Sequence, residues 1–351
     1  MAQSVQSRRR RSLGQRLGLA GAALVVELLL IEAALGLIGL MPPEPRAQAG
    51  EHADRERKNF VADPELGWRM RSGANFVWRT EGREFPFRAD ARGFRIDERP
   101  DAPVAPASAP RIALVGDSFT FGTGVTFADT FGAKLAAALG AVAENRAQPG
   151  FGVDQMWRTA ELEVLPDAPP DLIVVGLILD DFERTRQAYR HAEGFNKPRF
   201  RLEDGRLVRS GPADNLSGIG RFLDERSRLF TLGEAVARRL GEQHGIGDWW
   251  RLNAACLTAL FDAAAAARVP VLVVHIATVA GWRPFPALRA LVEEAAPAVA
   301  LVDLATEWGT PPEGAYYPLD GHLNATGHAV LAALLAEKVR QHFPAWPARP
   351  R

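Results

Sequence analysis

Apolar and polar positions along this chain repeat on two different scales. From residue 111 onward, short unbroken apolar runs such as Ile112-Ala113-Leu114-Val115 and Leu172-Ile173-Val174-Val175 are separated by longer stretches with helical spacing. The runs predict strands at 111–116, 141–145, 171–177, 270–276 and 299–303. The helical patterns fall near 128–139, 154–165, 249–267 and 286–295, with a last one near 325–341. Strands that are apolar throughout are buried on both faces. Alternation with helices therefore predicts an α/β fold with a parallel sheet between helical layers.

A different pattern opens the chain. Leu17 to Met41 is an apolar stretch preceded by Arg8-Arg9-Arg10-Arg11 and Arg16. At about 1.5 Å per residue it is long enough to cross the roughly 30 Å hydrocarbon core of a bilayer. The arginines precede it and little positive charge follows, which predicts a cytoplasmic N-terminus and an extracytoplasmic remainder. A retained anchor is expected. A cleaved signal peptide, with Ala47-Gln48-Ala49 as its motif, is the alternative, although secretory apolar cores are usually shorter. The paired arginines faintly resemble a twin-arginine export signal. Glu27 and Glu32 interrupt the span. Either Glu32 snorkels and Glu27 is tolerated, or a carboxylate pairs with a partner helix.

Between anchor and sheet the pattern weakens. Residues 42–58 read as a polar tether and Asp101–Pro110 as a Pro/Ala-rich spacer. Within 59–100, the segments around Leu66-Gly67-Trp68, Phe76-Val77-Trp78 and Phe85-Pro86-Phe87 suggest short strands. They form either a lip over a site or a cover for a sheet edge. An insertion is expected over 183–248, with a hairpin at 199–209 turning on Asp204-Gly205 and a helix near 221–240. Its arginines (Arg184, Arg186, Arg190, Arg199, Arg201, Arg206 and Arg209) form either a subsite for an acidic group or a solvated face. The resulting division is a basic tail at 1–16, an anchor at 17–41, a tether and β-rich extension at 42–110, a main domain at 111–343 and a tail at 344–351.

Composition narrows the function classes. The 351 residues are 47% hydrophobic, and 42 basic side chains balance 42 acidic ones. A net charge of zero gives no electrostatic footprint for nucleic acid. The single Cys256 excludes an internal disulfide and a cysteine-based zinc site, and reads as a core residue. No His-x-x-x-His or carboxylate–histidine spacing points to zinc, and Gly122 and Gly124 lack the Gly-Lys-Ser/Thr of a phosphate loop. No metal or cofactor is expected.

The candidate chemistry starts at Gly116-Asp117-Ser118, where a strand ends in a small-residue turn that would expose a hydroxyl at the carboxyl edge of the sheet. Near the C-terminus, Asp320-Gly321-His322 precedes a helical pattern, and an Asp beside a His can orient the ring. Between them lie Asn145 and Gly150, whose backbone can approach a ligand, and a strand running into Asp180-Asp181. In this order the four segments resemble the SGNH (GDSL-type) hydrolase family, in its membrane-anchored bacterial branch, over roughly residues 111–343. The resemblance implies a three-layer α/β/α sandwich with a five-stranded sheet in the flavodoxin-like order 2-1-3-4-5. It also implies a nucleophile at Ser118, a base at His322 oriented by Asp320, and an oxyanion hole from Ser118, Gly150 and Asp180.

Two positions depart from the family pattern. The last block is Asp-x-His rather than Asp-x-x-His, and Asp180 stands where the family has Asn. An Asn donates to an oxyanion, whereas an ionised Asp only accepts. A protonated Asp180, held so by burial and by Asp181, would restore a donor. The reading is therefore a serine esterase or acyltransferase on the periplasmic side of a bacterial inner membrane. Its expected substrate is an O-acyl, chiefly O-acetyl, ester of envelope carbohydrate, and an envelope-assembly protein is a candidate partner. The alternatives are an SGNH-fold binding or assembly module and a lysophospholipase-like lipid esterase. His275, at a strand end, and His328, inside the last helix, read as structural.

Overall fold

The sheet that carries the site follows from the apolar runs. In the computed structural model, five strands pair in parallel: β6 (Arg111–Gly116), β7 (Val142–Asn145), β8 (Leu172–Leu177), β13 (Val271–His275) and β14 (Val299–Asp303). Their spatial order is β14-β13-β8-β6-β7, which is the expected 2-1-3-4-5 order of a flavodoxin-like sheet. The structure describes residues 13–38, 58–102, 106–166, 168–187, 189–190, 195–210, 228–295 and 298–347. The Arg8–Arg11 cluster, the tether up to residue 57 with Ala47-Gln48-Ala49, residues 103–105 of the spacer, 211–227 of the insertion and the last four residues lie outside the described residues.

Alternate side chains of each strand enter opposite cores. Ala113, Val115, Ile173, Val175, Val271 and Val273 belong to one cluster, and Ile112, Leu114, Leu172, Val174, Leu272 and Val274 to the other. The second cluster is closed by Phe131 and Leu135 of α3 (Phe131–Ala138) and by Leu331, Leu335 and Val339 of α9 (Ala325–His342). The first is closed by Met156 and Trp157 of α4 (Val153–Thr159), Leu257 and Leu260 of α6 (Arg228–Ala266), and Leu288 and Val292 of α7 (Pro286–Glu294). Three layers result because a parallel sheet has no face left for water. Cys256 is buried in the first cluster, as a small core residue should be.

Contacts divide the molecule into two units, one from residues 1–51 and 216–246, the other from 52–215 and 247–351. In the first, α1 (Leu13–Leu37) contains a stretch, Leu19–Leu37, long and apolar enough by length and composition to cross a membrane. The Glu32 carboxylate accepts the backbone N–H groups of Arg228 (2.7 Å) and Leu229 (3.0 Å), at the start of α6. Of the two readings of this residue, the structure therefore favours a partner helix over snorkelling. Free N–H groups at a helix start are the natural acceptor-seeking partners of a carboxylate.

In the second unit the extension forms two small sheets. One pairs β1 (Phe60–Asp63) with β2 (Gly67–Met70), and the other orders β3 (Asn75–Thr80), β4 (Arg83–Ala89) and β5 (Arg95–Ile96) as a meander. The β3–β4 turn is Glu81-Gly82, both with positive φ (46° and 72°), as a tight hairpin requires. Trp68, Met70 and Phe87 join the first core cluster, so the extension packs as part of the domain.

The insertion contributes short pairs, β9 (Tyr189–Arg190) with β10 (Phe195–Asn196) and β11 (Phe200–Glu203) with β12 (Arg206–Arg209), and β11–β12 turns on Asp204-Gly205 as expected. Its Lys197 meets Asp154 of α4 in a fully buried ion pair. Burial pushes the Asp154 carboxyl up and the Lys197 ammonium down, each against the attraction of the other.

Candidate active site

Ser118 stands at the first position of α2 (Ser118–Phe121), the short helix that follows β6. Asp117 caps this helix through Oδ1, which accepts the Phe119 N–H at 2.9 Å. The helix lies across the ends of β6 and β8. A Cβ on Gly116 or on Gly176, which pair across the sheet, would come within 2.2 Å or 2.1 Å of the Thr120 hydroxyl. Glycine at both positions is what lets the turn lie so close. The carbonyls at its far end are held by donors from elsewhere. Asn145 Nδ2 reaches Thr120 O and Phe121 O, and Arg95 Nη1 reaches Phe121 O and Gly122 O, both at 2.7 Å. Arg95 is buried against the stacked Phe87 and Phe121 rings, and burial pushes its guanidinium down to about 9.

The loop before α9 supplies the next groups. An antiparallel bridge from Tyr316 to Leu323 closes it, and Asn324 caps α9 through Thr326 and Gly327. His322 Nε2 lies 2.8 Å from Ser118 Oγ, and His322 Nδ1 contacts Asp320 Oδ1. The imidazole leans on the Phe119 ring with centroids 4.6 Å apart. Burial raises the Asp320 carboxyl, but the hydrogen bonds from His322 and from the Thr80 hydroxyl outweigh it and hold Asp320 below the ordinary carboxylate range. The structure thus brings Ser118, His322 and Asp320 into one line, with Asp-x-His spacing sufficient for the contact.

Gly150 lies in the buried loop after β7, with φ of 78°. Its neighbour Pro149 accepts the Trp68 indole N–H at 3.1 Å. Gln148 in the same loop donates to Gly93 O and accepts the Met70 N–H, so the extension ties this loop at three points.

Asp180 and Asp181 open α5 (Leu179–Arg184), after β8 on the same sheet edge as Ser118. The expectation that burial could hold Asp180 protonated is corrected. Asp180 is exposed, and the buried carboxyl is Asp181. Burial, and then the nearby Asp117, push Asp181 well up, against the opposing charge of Arg184.

Arg184 is also placed differently from a surface arginine. Its Nη1 donates to Asp181 Oδ1 (2.6 Å), Asp117 Oδ2 (3.0 Å) and Phe151 O (3.2 Å). Asp117 Oδ2 lies 3.3 Å from Ser118 Oγ, so this carboxylate competes with His322 for the serine proton. The guanidinium on the same oxygen weakens it as an acceptor and leaves the hydroxyl to the imidazole. Arg190, Arg201 and Arg209 are likewise engaged by Gln187, Glu203 and Glu65, which leaves them poorly placed as a subsite for an external acid.

The residues that sequence reasoning missed are Thr80, Glu81 and Arg95. The only local signal was the Glu81-Gly82 turn, and Thr80 meets Asp320 across 240 positions of chain. His275 is buried with Nδ1 on Asp303, and His328 is buried with Nδ1 accepting the Phe131 N–H, so neither faces Ser118. Among the described residues, no group of three or more His, Cys, Asp or Glu side chains is arranged to hold a metal ion.

The family model described as GDSL-like Lipase/Acylhydrolase family matches residues 114–330. A search of curated proteins returns no match. Among solved structures, the chain is similar to a carbohydrate esterase family 2 enzyme from Corynascus thermopiles (Myceliophthora fergusii), at 16% identity and a TM-score of 0.43, covering 74% of this chain and 73% of that one. It is similar to the salicylyl-acyltransferase SsfX3 from a tetracycline biosynthetic pathway, at 18% identity, 0.39, and 69% and 57% coverage. A family two carbohydrate esterase from Cellvibrio japonicus aligns at 14% identity, 0.35, and 69% and 63% coverage.

Proposed function

The chain belongs to the GDSL-like lipase/acylhydrolase family, and from that premise we propose a serine esterase or acyltransferase in which Ser118 is the nucleophile, His322 the general base and Asp320 its orienting carboxylate. The observation that carries this reading is the 2.8 Å contact between His322 Nε2 and Ser118 Oγ, with Asp320 on the other ring nitrogen. His322 Nε2 takes the hydroxyl proton as Oγ attacks an ester carbonyl, giving a tetrahedral oxyanion. The protonated imidazole then gives that proton to the leaving alcohol, and an acyl group remains on Ser118. Water or a second alcohol attacks the acyl-enzyme with His322 again as base, which completes hydrolysis or transfer.

The oxyanion is received by the N–H groups of Ser118 and Gly150. The first is a helix-start donor with no intrahelical acceptor, and the second sits in a glycine turn tied down by Trp68. Asp180 is the third position of the hole. As an exposed carboxylate side chain it is a poor substitute for an amide donor, which predicts slow rather than absent chemistry.

We further infer an O-acyl ester, chiefly O-acetyl, of cell-envelope carbohydrate as the substrate. The apolar α1 is read as a single-pass inner-membrane anchor with the catalytic domain outside the cytoplasm. Support for location comes from the apolar length of α1 and the arginines before it.

The test is hydrolysis of p-nitrophenyl acetate by the full chain in detergent, from about pH 5 to about pH 8, beside Ser118→Ala. Turnover lost in Ser118→Ala is the expected result. A folded protein without Ser118-dependent turnover on aryl or glycan acetates would replace the enzyme by a binding module.

A further inference from the structure

The extension lies outside residues 114–330, yet the tip of its β3–β4 hairpin touches the site. Thr80 Oγ1 donates to Asp320 Oδ2 at 2.5 Å, while Asp320 Oδ1 faces His322. The next residue, Glu81, accepts through Oε1 the backbone N–H groups of Leu319 (2.7 Å) and Asp320 (3.0 Å). Behind the tip, the Phe85 ring packs edge-on against Tyr317, whose hydroxyl donates to Gly124 O in the loop after α2.

A brace of this kind answers a particular weakness of the loop. Asp320 and His322 are two residues apart, so carboxylate and imidazole ride on the same short turn. Each can hold the other, but neither can hold the pair against Ser118. His322 gains some fixing from the α9 cap that starts at Asn324 and from Phe119, whereas Asp320 stands at the tip beside Leu319, which is 88% exposed, and Gly321, with φ of 80°. Contacts from outside the loop are needed to give Asp320 one position.

We propose that Thr80 and Glu81 are positioning residues of the active site: Glu81 pins the backbone of the Asp320 turn, and the Thr80 hydroxyl pins the carboxylate itself, so that the β-rich extension is part of the catalytic apparatus. This rests on the reading of Ser118, His322 and Asp320 given above. The Thr80 hydroxyl also bears on proton transfer. It withdraws charge from the carboxylate that stabilises the protonated imidazole. Removing it leaves a more basic Asp320 whose carboxylate is held by His322 alone. A smaller share of molecules would then hold the aligned geometry.

Thr80→Val keeps the shape and removes the donor, while Thr80→Ser restores the donor with less bulk. In the full chain, Thr80→Val is expected to lower kcat roughly 10-fold with KM unchanged, the scale of one lost hydrogen bond to a charged group. Thr80→Ser should recover kcat, and Glu81→Ala should lower it through the loosened Asp320 backbone. Wild-type kcat in Thr80→Val would overturn the proposal. Equal losses in Thr80→Val and Thr80→Ser would do so too, because packing rather than the hydroxyl would then be responsible.

Nitrogen-15 labelling of histidine supplies a readout that needs no turnover. The low-field His322 Nδ1–H signal should weaken in Thr80→Val and persist in Thr80→Ser. If Ser118 proves not to support turnover, an unchanged His322 signal in Thr80→Val still rejects the positioning role, and its selective loss still supports it.

Discussion

His322 with Asp320, and His275 with Asp303, are two histidine–aspartate pairs at the carboxyl edge of one sheet, and they differ in what surrounds them. His275 and Asp303 are register partners on β13 and β14, both almost fully buried. The Asp303 carboxylate is already occupied. It caps α8 (Leu304–Trp308) through Ala305 and Thr306 and accepts the Phe285 N–H at 2.8 Å. Burial raises the Asp303 carboxyl, but the His275 and Phe285 donors outweigh burial and hold it low. His275 Nε2 is buried with no hydrogen-bond partner among the described residues.

His322 and Asp320 instead sit on a half-exposed loop, and the ring's second nitrogen faces Ser118 Oγ. The chemistry of the pair is the same in both places. Access to a hydroxyl and to solvent separates the proposed base from a structural brace.

Substituting the two aspartates tests that separation most strongly. Asp320→Ala is expected to lower turnover on the order of 10⁴-fold, because the imidazole loses the group that fixes its tautomer and stabilises its charge. Its unfolding midpoint in urea should stay near that of the parent. Asp303→Ala should do the reverse. Turnover per folded molecule should persist, while stability falls by about 2–4 kcal/mol from the lost cap and the unpaired buried histidine. Equal activity losses in the two variants would dissolve the distinction.

A third histidine sharpens the comparison from the side of burial. His328 lies in α9 against Phe131, and burial, then the charge of Arg95, push it down from 6.5 to about 3. The unfolded chain therefore binds a proton near pH 6.5 that the folded chain refuses until about pH 3. Stability is full above that window and is lost as pH falls through it, by at most about 1.4 kcal/mol per pH unit from this group. Urea titrations across this range should show that slope. His328→Gln, which keeps an acceptor for the Phe131 N–H, should flatten it. An unchanged slope in that variant would mean that His328 is not held neutral in the folded state.

The smallest effect is expected at Asp180. An amide donor in a fully formed oxyanion hole is worth roughly 100- to 1000-fold in rate. Because Asp180 is exposed, Asp180→Asn should raise turnover by only about 10-fold or less. No gain, measured beside Ser118→Ala as the zero, would place the working hole on the Ser118 and Gly150 N–H groups alone.

Much of this was legible because it is local. The five strands appear within a residue or two of the apolar runs that predict them, since a strand buried on both faces must be apolar throughout. The Asp204-Gly205 turn and the short Gly116-Asp117-Ser118 bend are also written in adjacent residues, because their backbone angles depend on side chains within a few positions.

Burial was not legible at the same grain. Asp180 and Asp181 are neighbours of the same type in one helical turn, yet one faces solvent and the other is buried in a network with Arg184 and Asp117. Arg184 read as one of a set of arginines forming a subsite or a solvated face, and its partner Asp117 lies 67 positions earlier. The extension read as a cover or a lip, and nothing near Thr80 announces Asp320.

By itself, then, the sequence determined the alternation of strands and helices and the family, and it put Ser118, His322 and Asp320 forward as candidates. Backbone preference and hydrophobic period act over a few residues, and the family's blocks are short. The tertiary structure alone decided which histidine meets a hydroxyl, which of two adjacent carboxyls is buried, and which distant hairpin holds the Asp320 turn. Those are matters of distance in space, set when separate apolar faces close on two common cores and bring polar groups at their margins within hydrogen-bond reach.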